Sequence, residues 1–358
     1  MQRIDETLKS ISPPSGEAAR AMRERLDSLT KPRGSLGTLE DLAVTAAGAL
    51  GLQITREALQ ARIPFTKRIC VAAADHGVHA EGVSAYPQEV TAQMVANFLV
   101  GGAAINALAG RAGADVEVVD CGVASEIPVG GEGLVSTPVG KGTANMAAGP
   151  AMSRQDAIEA ISLGLDAARR ASEAGVDFLG AGEMGIANTT ASSAMIAAVT
   201  GLPVRELTGA GAGLPPGGLD AKAQVIERAL TVNEVDPDDP IDLLAKLGGF
   251  EIGFIAGICL GGAAEGMLVF VDGLISTAGA YVAWELSPDC RGHLVWSHTS
   301  AEPAHSALLA HMEVKALVDL GMRLGEGTGA AIAMWLAETA IATAAGMATF
   351  GEAGVSDA

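Results

Sequence analysis

The sequence predicts an α/β fold in which helices cover both faces of a parallel sheet. Apolar runs of strand length occur at residues 68–74, 115–120 and 267–272, and each is followed by a helical segment. Strands that alternate with helices are typical of a parallel sheet. Ligands of such sheets bind at the carboxyl ends of the strands, so we expect the functional site at the residues that follow them.

The remaining elements follow from apolar periodicity and from helix-capping residues. Further strands are predicted at residues 176–179, 204–207 and 293–298. Helices are predicted at residues 15–29, 36–50, 88–110, 153–174, 219–233, 254–266, 274–286, 303–320 and 328–347. The Gly- and Pro-rich residues 123–150 are expected to form an extended connecting segment. The terminal helical segments contain no strand, so we expect them to pair as a small helical domain.

Composition and charge exclude several classes of protein. The chain of 358 residues has 46 glycines, is 49% hydrophobic and only 3% aromatic, and has a formal net charge of −19. Nucleic acids and anionic membranes bind basic surfaces, so neither is expected as a partner. The N-terminus lacks the apolar core of a signal peptide, and Gly, Glu or Asp interrupts the longest apolar stretches before about 18 residues. We therefore expect no transmembrane helix.

Cysteine usage indicates a reducing compartment. The four cysteines are widely spaced, form no C-x-x-C pair and lie mostly in or beside apolar runs. Buried free thiols in a cytoplasmic protein are the expected state. The four are Cys70, Cys121, Cys259 and Cys290.

A glycine-rich loop is predicted between the strand at 176–179 and the following helix. Gly180-x-Gly182-x-x-Gly185 matches the dinucleotide-binding fingerprint, and an acid lies about 20 residues further on, at Glu206. However, the match lies in the third βα unit rather than the first. Glu183 would also place a carboxylate against a pyrophosphate. An NAD-dependent oxidoreductase that uses these glycines is therefore an alternative and not the favoured interpretation.

Residues 208–218 form a second glycine-rich segment before a predicted helix. Backbone N–H groups in such a loop can line an anion site at the helix N-terminus. Lys222, one turn into the helix, can reach back to a phosphate. The alternative is a plain connection with a solvated lysine.

A third segment, Gly325-Glu326-Gly327-Thr328-Gly329, places an acid between glycines. A backbone without side chains lets the Glu326 carboxylate approach a flat ligand closely. Partial burial would raise the pKa of this carboxyl group, as a general base requires. The alternative is that the negative charge of Glu326 merely stabilises the N-terminus of the following helix through the helix dipole.

Asp75-His76-Gly77-Val78-His79 follows the first strand and raises the question of a metal site. Two histidines and an acid are suggestive, but no third ligand group is evident nearby. Loop shaping by hydrogen bonds is favoured, so neither a metal nor another cofactor is expected.

Seven motifs occur together and in order along nearly the whole chain. They are Lys31-Pro32-x-Gly34-Ser35-Leu36-Gly37, Ala74-Asp75-His76-Gly77-Val78, Gly182-Glu183-Met184-Gly185-Ile186-Ala187-Asn188-Thr189-Thr190, Leu214-Pro215-Pro216, Gly248-Gly249-Phe250-Glu251, Ser297-His298-x-Ser300-Ala301-Glu302 and Arg323-Leu324-Gly325-Glu326-Gly327-x-Gly329-Ala330-Ala331. Together they resemble the nicotinate-nucleotide–dimethylbenzimidazole phosphoribosyltransferase family.

The resemblance implies a homodimer whose subunit has a large Rossmann-like domain, residues 61–314, and a small helical domain, residues 1–60 with 315–358. It implies transfer of ribose 5-phosphate from nicotinate mononucleotide to 5,6-dimethylbenzimidazole or a related base. The product is α-ribazole 5′-phosphate for cobalamin, and nicotinate is released. Adenine, phenolic and other benzimidazole acceptors stay open.

The resemblance also assigns roles to residues of this chain. Glu326 would be the catalytic base and Glu183 the second active-site acid. The implied substrate-binding residues are Lys222 at the phosphate, Gly185, Gly211 and Ser300 beside the nucleotide, Tyr86 and Met94 at the base, and Asp272 as a further polar group.

Overall fold

Six parallel strands form the central sheet within the residues that the computed structural model describes, which are 1–128 and 133–356. The strands are β1 Lys67–Ala74, β2 Ala114–Gly122, β3 Leu134–Ser136, β4 Phe178–Met184, β5 Leu268–Val271 and β6 Leu294–Trp296. Their order in the sheet is β3-β2-β1-β4-β5-β6, and every neighbouring pair is parallel. This is the doubly wound Rossmann order, which reverses direction between β1 and β4.

Both faces of the sheet are buried, as the continuous apolar strands predict. Alternate residues of β1 belong to two different apolar clusters, because successive side chains of a strand point to opposite faces. Cys70 and Ala72 pack into the cluster on one face, whereas Ile69 and Val71 pack into the cluster on the other.

Sixteen α-helices surround the sheet in the described part of the chain. They are α1 Gln2–Ser10, α2 Gly16–Ser28, α3 Thr38–Ala49, α4 Arg56–Arg62, α5 Val90–Leu99, α6 Ala104–Ala112, α7 Arg154–Glu173, α8 Asn188–Thr200, α9 Val204–Leu207, α10 Pro216–Asn233, α11 Pro240–Leu247, α12 Phe250–Ala264, α13 Leu274–Leu286, α14 Pro303–His311, α15 Thr328–Gly346 and α16 Phe350–Ala353. Two short strands, β7 His298–Thr299 and β8 Val318–Asp319, pair beside the central sheet.

Small residues let the helices lie close to one another and to the sheet. On one face, α7 packs against α12 at Gly164 and Gly257, where a Cβ atom would clash with backbone atoms of the opposite helix. On the other face, α15 contacts α3, α4 and α6 as well as strands of the sheet. Its apolar residues belong to the same cluster as Ile69 and Val71, so the last long helix forms part of the core.

Several sequence predictions of secondary structure were wrong. Residues 204–207 form helix α9 rather than a strand, because four residues are too few for periodicity to decide between the two. The predicted helix at 88–110 is two helices, α5 and α6, separated by a turn in which Gly101 has φ +78°. The predicted helix at 303–320 ends at His311, and Val318–Asp319 is strand β8. By contrast, residues 123–150 were predicted to be extended and do contain strand β3, while residues 129–132 lie outside the described residues.

Two helical stretches, Val90–Ala112 and Thr328–Gly346, have the length and apolar composition of a membrane span. The first is broken into α5 and α6, and the second packs against other helices and the sheet. Buried core helices of globular proteins often have the same length and apolar composition, so these features alone do not indicate a membrane span.

Candidate active site

A cavity of about 640 Å³ opens where β4 ends and α8 begins, close to the point at which the strand order reverses. Its walls come from six parts of the chain that are distant in sequence. Seven of the nine predicted site residues line it: Tyr86, Met94, Glu183, Gly185, Gly211, Ser300 and Glu326. Lys222 and Asp272 lie behind the wall, where both are 1% exposed.

Glu183 is the sixth residue of strand β4, and its carboxyl group is buried. Asn188, the first residue of α8, donates a hydrogen bond from Nδ2 to Glu183 Oε2 over 2.5 Å. Burial, together with the nearby carboxylates of Glu251 and Asp272, raises the pKa of Glu183 to about 8. In the free protein this acid is therefore mostly protonated at neutral pH.

Glu326 lies on the turn before α15 in a left-handed backbone conformation, with φ +63°. Gly325 and Gly327 on either side also have positive φ, at +84° and +86°. The Ile105 N–H donates to Glu326 Oε2 over 3.3 Å. Burial raises the pKa of Glu326, and the Ile105 hydrogen bond only partly opposes this effect. A buried carboxylate with a raised pKa has the properties of a general base.

Glycines bring the two acids together. The Glu326 N–H donates to the Glu183 carbonyl oxygen over 3.2 Å, which joins the turn to the end of β4. A Cβ atom on Gly182 would lie only 2.6 Å from the Glu326 carbonyl oxygen, and one on Gly325 would clash with the Glu183 carboxyl group. The absence of side chains at these glycines thus lets the turn lie directly against the end of the strand.

Asp272 holds the turn in place from beneath. Its Oδ1 accepts from the Gly329 N–H over 2.6 Å and from the Ala330 N–H over 3.1 Å, and its Oδ2 accepts from the Gly327 N–H over 3.0 Å. Burial raises the pKa of Asp272, although His298 and these backbone donors act in the opposite direction. Asp272 therefore caps the N-terminus of α15 beside Glu326 and does not line the cavity.

Lys222 is buried behind Thr189. Its Nζ donates to Thr189 Oγ1 over 2.9 Å and to the Gly209 carbonyl oxygen over 3.0 Å. Burial lowers the pKa of Lys222 to about 8, and the carboxylate of Glu302 partly offsets this. The Gly211 N–H, which the sequence suggested as an anion ligand, donates to Glu302 Oε1 over 3.0 Å in the free protein.

The structure adds cavity-lining polar residues that the site prediction omitted, namely Asn188, Thr189, His298, Glu302 and Arg323. Arg323 Nη1 donates to the Gly211 carbonyl oxygen over 2.9 Å, so it joins the Glu326 turn to the glycine-rich loop. All five lie within the seven motifs of the sequence analysis, but spacing alone does not tell which side chains of a motif face the ligand.

The Asp75-His76 pair has the structural role that was favoured over metal binding. His76 Nε2 lies 2.6 Å from Glu251 Oε1, and Asp75 Oδ2 accepts from the Ala124 N–H over 2.8 Å. Burial lowers the pKa of His76, but Glu251 outweighs it, so the net shift is upward. Among the described residues, no group of His, Cys, Asp and Glu is suited to hold a metal ion.

The geometry does not fit a dinucleotide fingerprint. Gly180 and Gly182 lie inside strand β4 and not in a loop after it, because the strand extends to Met184. The expected ribose-binding acid, Glu206, is exposed on α9 and does not line the cavity. The oxidoreductase alternative is not supported.

Known proteins resemble this chain over its whole length. The family model described as phosphoribosyltransferase matches residues 11–355. Two proteins named nicotinate-nucleotide–dimethylbenzimidazole phosphoribosyltransferase, from Roseiflexus sp. (strain RS-1) and Desulforudis audaxviator (strain MP104C), are 51% and 50% identical. The alignments cover 99% and 100% of this chain and 99% of each relative.

Two solved structures also resemble this chain over nearly its whole length. The CobT structure from Thermus thermophilus is 46% identical in sequence to this chain and has a TM-score of 0.86. A structure described as nicotinate-nucleotide–dimethylbenzimidazole phosphoribosyltransferase, from the same organism, is 45% identical and has a TM-score of 0.85. Each match covers 96% of this chain and 100% of the other. The chain therefore belongs to the nicotinate-nucleotide–dimethylbenzimidazole phosphoribosyltransferase family.

Proposed function

We propose that this protein transfers ribose 5-phosphate from nicotinate mononucleotide to 5,6-dimethylbenzimidazole or a related base. The products are α-ribazole 5′-phosphate, for the nucleotide loop of cobalamin, and nicotinate. The main support is one cavity that contains two buried acids, Glu183 and Glu326, in a chain about half identical to relatives named for this activity.

The reaction breaks one C–N bond and forms another at the anomeric carbon of the ribose. The leaving nitrogen belongs to a pyridinium ring, which is already positively charged, so nicotinate departs with the bonding electrons and needs no proton. The incoming imidazole nitrogen attacks from the opposite face, which converts a β-glycosidic bond into an α bond. No cofactor is required by this balance of atoms and charges.

Glu326 accepts the proton that the incoming base must lose. When one imidazole nitrogen forms the new bond, the ring becomes a cation and the N–H on its other nitrogen becomes acidic. A carboxylate with a raised pKa is matched to take this proton near neutral pH. Asp272 supports the step by fixing the turn on which Glu326 lies.

Glu183 acts on the ribose. As the bond to the pyridinium ring breaks, positive charge moves onto the ribose, which becomes oxocarbenium-like, and a nearby carboxylate stabilises such charge. The pKa of Glu183 is about 8 in the free protein, and a bound pyridinium cation would favour its ionised form. Glu183 would therefore release a proton when the positively charged pyridinium ring binds beside it.

The remaining predicted residues divide between the two substrates, the nucleotide and the acceptor base. Gly185, Gly211 and Ser300 line the cavity beside the nucleotide, with the Lys222 charge behind them. Tyr86 and Met94 line the cavity at the acceptor base. Tyr86 is half exposed, so it forms part of the rim.

We also propose the assembly and location that the resemblance implies: a homodimer in the cytoplasm, with residues 1–60 and 315–358 as a small helical domain beside residues 61–314. The four cysteines are free and buried, which agrees with a reducing compartment. Helix α15 packs against α3 and α4, which supports the pairing of the two termini, and it also packs against α6 and the strands of the large domain.

The direct test is to incubate the purified protein with nicotinate mononucleotide and 5,6-dimethylbenzimidazole and to measure nicotinate release by chromatography. We expect release that depends on the base and a stoichiometric amount of α-ribazole 5′-phosphate. Release that is independent of any base would indicate a hydrolase instead. No release with benzimidazole, adenine or phenolic acceptors would refute the proposal.

A further inference from the structure

A buried pair of oppositely charged residues lies behind Gly185, the residue that follows β4. His76 comes after β1, Glu251 lies in the first turn of α12, and the two residues are 1% and 0% exposed. Neither residue lines the cavity. Burial of an ion pair removes both charges from water at a large cost in free energy, so stability alone does not account for this pair.

Glu251 approaches Glu183 through the space that Gly185 leaves. A Cβ atom on Gly185 would lie 3.4 Å from Glu251 Oε1 and 3.3 Å from Asn188 Nδ2. No atom of His76 is as near to this position. Asn188 Nδ2 in turn donates to Glu183 Oε2. The anionic member of the pair is therefore the one that faces the hydrogen bond between Asn188 and Glu183.

Glu251 differs from the other acids near Glu183 because, among the described residues, it accepts from no backbone N–H. Its Oε1 lies 2.6 Å from His76 Nε2, and its Oε2 is buried without a hydrogen-bond partner in the described part of the chain. By contrast, Asp272 accepts from three backbone N–H groups and Glu326 accepts from one. Backbone donors offset the charge of a carboxylate, so the charge of Glu251 acts on Glu183 without this compensation.

The electrostatics of the two acids agree with this geometry. Burial raises the pKa of Glu183 to about 8, and Glu251 contributes more to this rise than any other charged group. Burial lowers the pKa of His76, but Glu251 outweighs it, which favours the ionised pair. The dipole of α12 also favours a negative charge in its first turn. The other titratable groups near the two acids are Asp75 after β1, Cys121 in β2, Asp272 after β5 and Glu326 before α15.

We infer that Glu251, held by His76, is a positioning residue that keeps the Glu183 carboxyl group protonated until a positive charge arrives in the cavity. This inference rests on the proposed function and deepens it, because it names the group that controls the charge of the ribose-side acid. The pyridinium ring of bound nicotinate mononucleotide offsets the Glu251 charge, and Glu183 loses its proton to solvent. When nicotinate departs, its ring nitrogen is neutral, so Glu183 takes up a proton again. The site is thereby selective for N-glycosides with a positively charged ring over those with a neutral ring.

The test measures the protons released when nicotinate mononucleotide binds without an acceptor base, by calorimetry at pH 7 in two buffers with different ionisation enthalpies. Glu251→Gln keeps the size of the side chain and can still accept from His76, but it removes the charge. Loss of a nearby like charge should lower the pKa of Glu183 by about one unit, so its protonated fraction at pH 7 should fall from about 0.9 to about 0.5. The variant should therefore release roughly 0.4 protons fewer per nucleotide than wild type. Glu251→Asp keeps the charge and should restore most of the release.

A matched control is Glu338→Gln. Glu338 Oε2 also pairs with a buried cation, Lys67 Nζ, over 2.7 Å, but it lies in the middle of α15 and outside the group of acids around Glu183. This variant should release as many protons as wild type. Ribose 5-phosphate is the control ligand, because it has the same phosphate and no ring. Its binding should exchange the same number of protons in wild type and in Glu251→Gln.

The Glu183→Gln variant shows whether the protons come from Glu183. It should release fewer protons than wild type, and the addition of Glu251→Gln should change the release no further, because Glu251 acts only through Glu183. Equal release in wild type and Glu251→Gln would overturn the inference, and so would a further loss in the combined variant. If Glu251→Gln does not fold, His76→Gln combined with Glu251→Gln leaves no unpaired buried charge and gives the same comparison.

Urea unfolding without ligand separates this inference from the proposed function. The stability that Glu183 contributes at low pH is fully lost near pH 8 in wild type, as judged against Glu183→Gln. In the Glu251→Gln background this loss should be complete about one pH unit lower. An unchanged pH would overturn the inference. The expected shift in a protein that releases no nicotinate would support the role of Glu251 and refute the transferase.

Discussion

Two glutamates line the same cavity but lie on very different backbones. Glu183 is part of a regular strand in the centre of the sheet, whereas Glu326 occupies a left-handed turn between two glycines. Strand β4 is hydrogen-bonded to neighbouring strands on both sides, so the position of Glu183 is set by the sheet. The position of Glu326 depends on backbone N–H groups held by Asp272 and on the close approach of Gly182.

This difference suggests a division of roles. The strand acid is fixed and surrounded by other carboxylates, which suits a group that responds to the charge of the substrate. The turn acid lies next to backbone donors at the start of a helix, which suits the proposed role of accepting a proton from the acceptor base. The comparison predicts that removing the Glu326 carboxylate affects chemistry most, that disturbing the contact between strand and turn affects both acids, and that replacing Glu183 changes the pH dependence of stability.

The largest effect is expected from Glu326→Gln. Glutamine keeps the size and the Ile105 contact but cannot accept a proton, so kcat should fall about 10²- to 10⁴-fold with little change in KM. Steady-state nicotinate release measures both constants. Glu313→Gln is a matched control, because Glu313 also has positive φ, at +54°, but is exposed away from the cavity. A near-native kcat in Glu326→Gln would mean that another group accepts the proton that the incoming base loses.

Gly182→Ala tests the contact between the strand and the turn. The new methyl group would lie 2.6 Å from the Glu326 carbonyl oxygen, so one of the two elements must move. We expect kcat/KM to fall about 10- to 100-fold, since misplacement of a reacting group by about 1 Å has effects of this size. The free energy of unfolding should decrease by about 1–3 kcal/mol, as measured in urea. Gly110→Ala, at a helical glycine with open space around it, should leave activity unchanged. Native kinetics in Gly182→Ala would show that the turn tolerates displacement.

The smallest effect concerns Glu183 and the pH dependence of stability. Its pKa rises from 4.5 to about 8 on folding, so between these pH values the folded state binds more protons than the unfolded state. Stability from this group is therefore present at low pH and is lost as pH rises towards 8. Glu183→Gln should be stabilised relative to wild type at pH 8 but not at pH 5, by a difference on the order of 2 kcal/mol.

Urea unfolding of the two proteins at several pH values measures this difference. Other groups titrate in the same range, including His76, whose pKa is raised mainly by Glu251 against the effect of burial. The comparison with Glu183→Gln cancels their contributions, since both proteins contain them. Parallel curves for the two proteins would mean that Glu183 is ionised in the folded state at neutral pH.

Much of the fold was predictable from the sequence because long apolar runs and capped helices are strong local signals. Strands β1, β2 and β5 were predicted within a few residues, and helix α13, Leu274–Leu286, was predicted with its bounds. The errors fell on short segments such as Val204–Leu207, where four residues contain no periodicity, and on the turn at Gly101 that divides α5 from α6.

For the site, the sequence named seven residues that line the cavity, because motifs that resemble a known family place functional residue types at known spacings. It also read Gly182 as part of a loop, whereas it is a strand glycine needed for the approach of the Glu326 turn. It placed Lys222 one turn into a helix, but spacing along a helix does not show that the Thr189 hydroxyl lies against the lysine ammonium group.

By itself the sequence determined the α/β class and the family resemblance, and it singled out the two acids, since each depends on residue types and on order along one chain. Only the tertiary structure decided what surrounds those acids. Their raised pKa values, the support that Asp272 gives to the Glu326 turn, and the position of Thr189 in front of Lys222 all arise from segments more than 30 residues apart in the chain or from burial between them. Desolvation and hydrogen bonding depend on distances in space, and no local pattern in a chain encodes those distances.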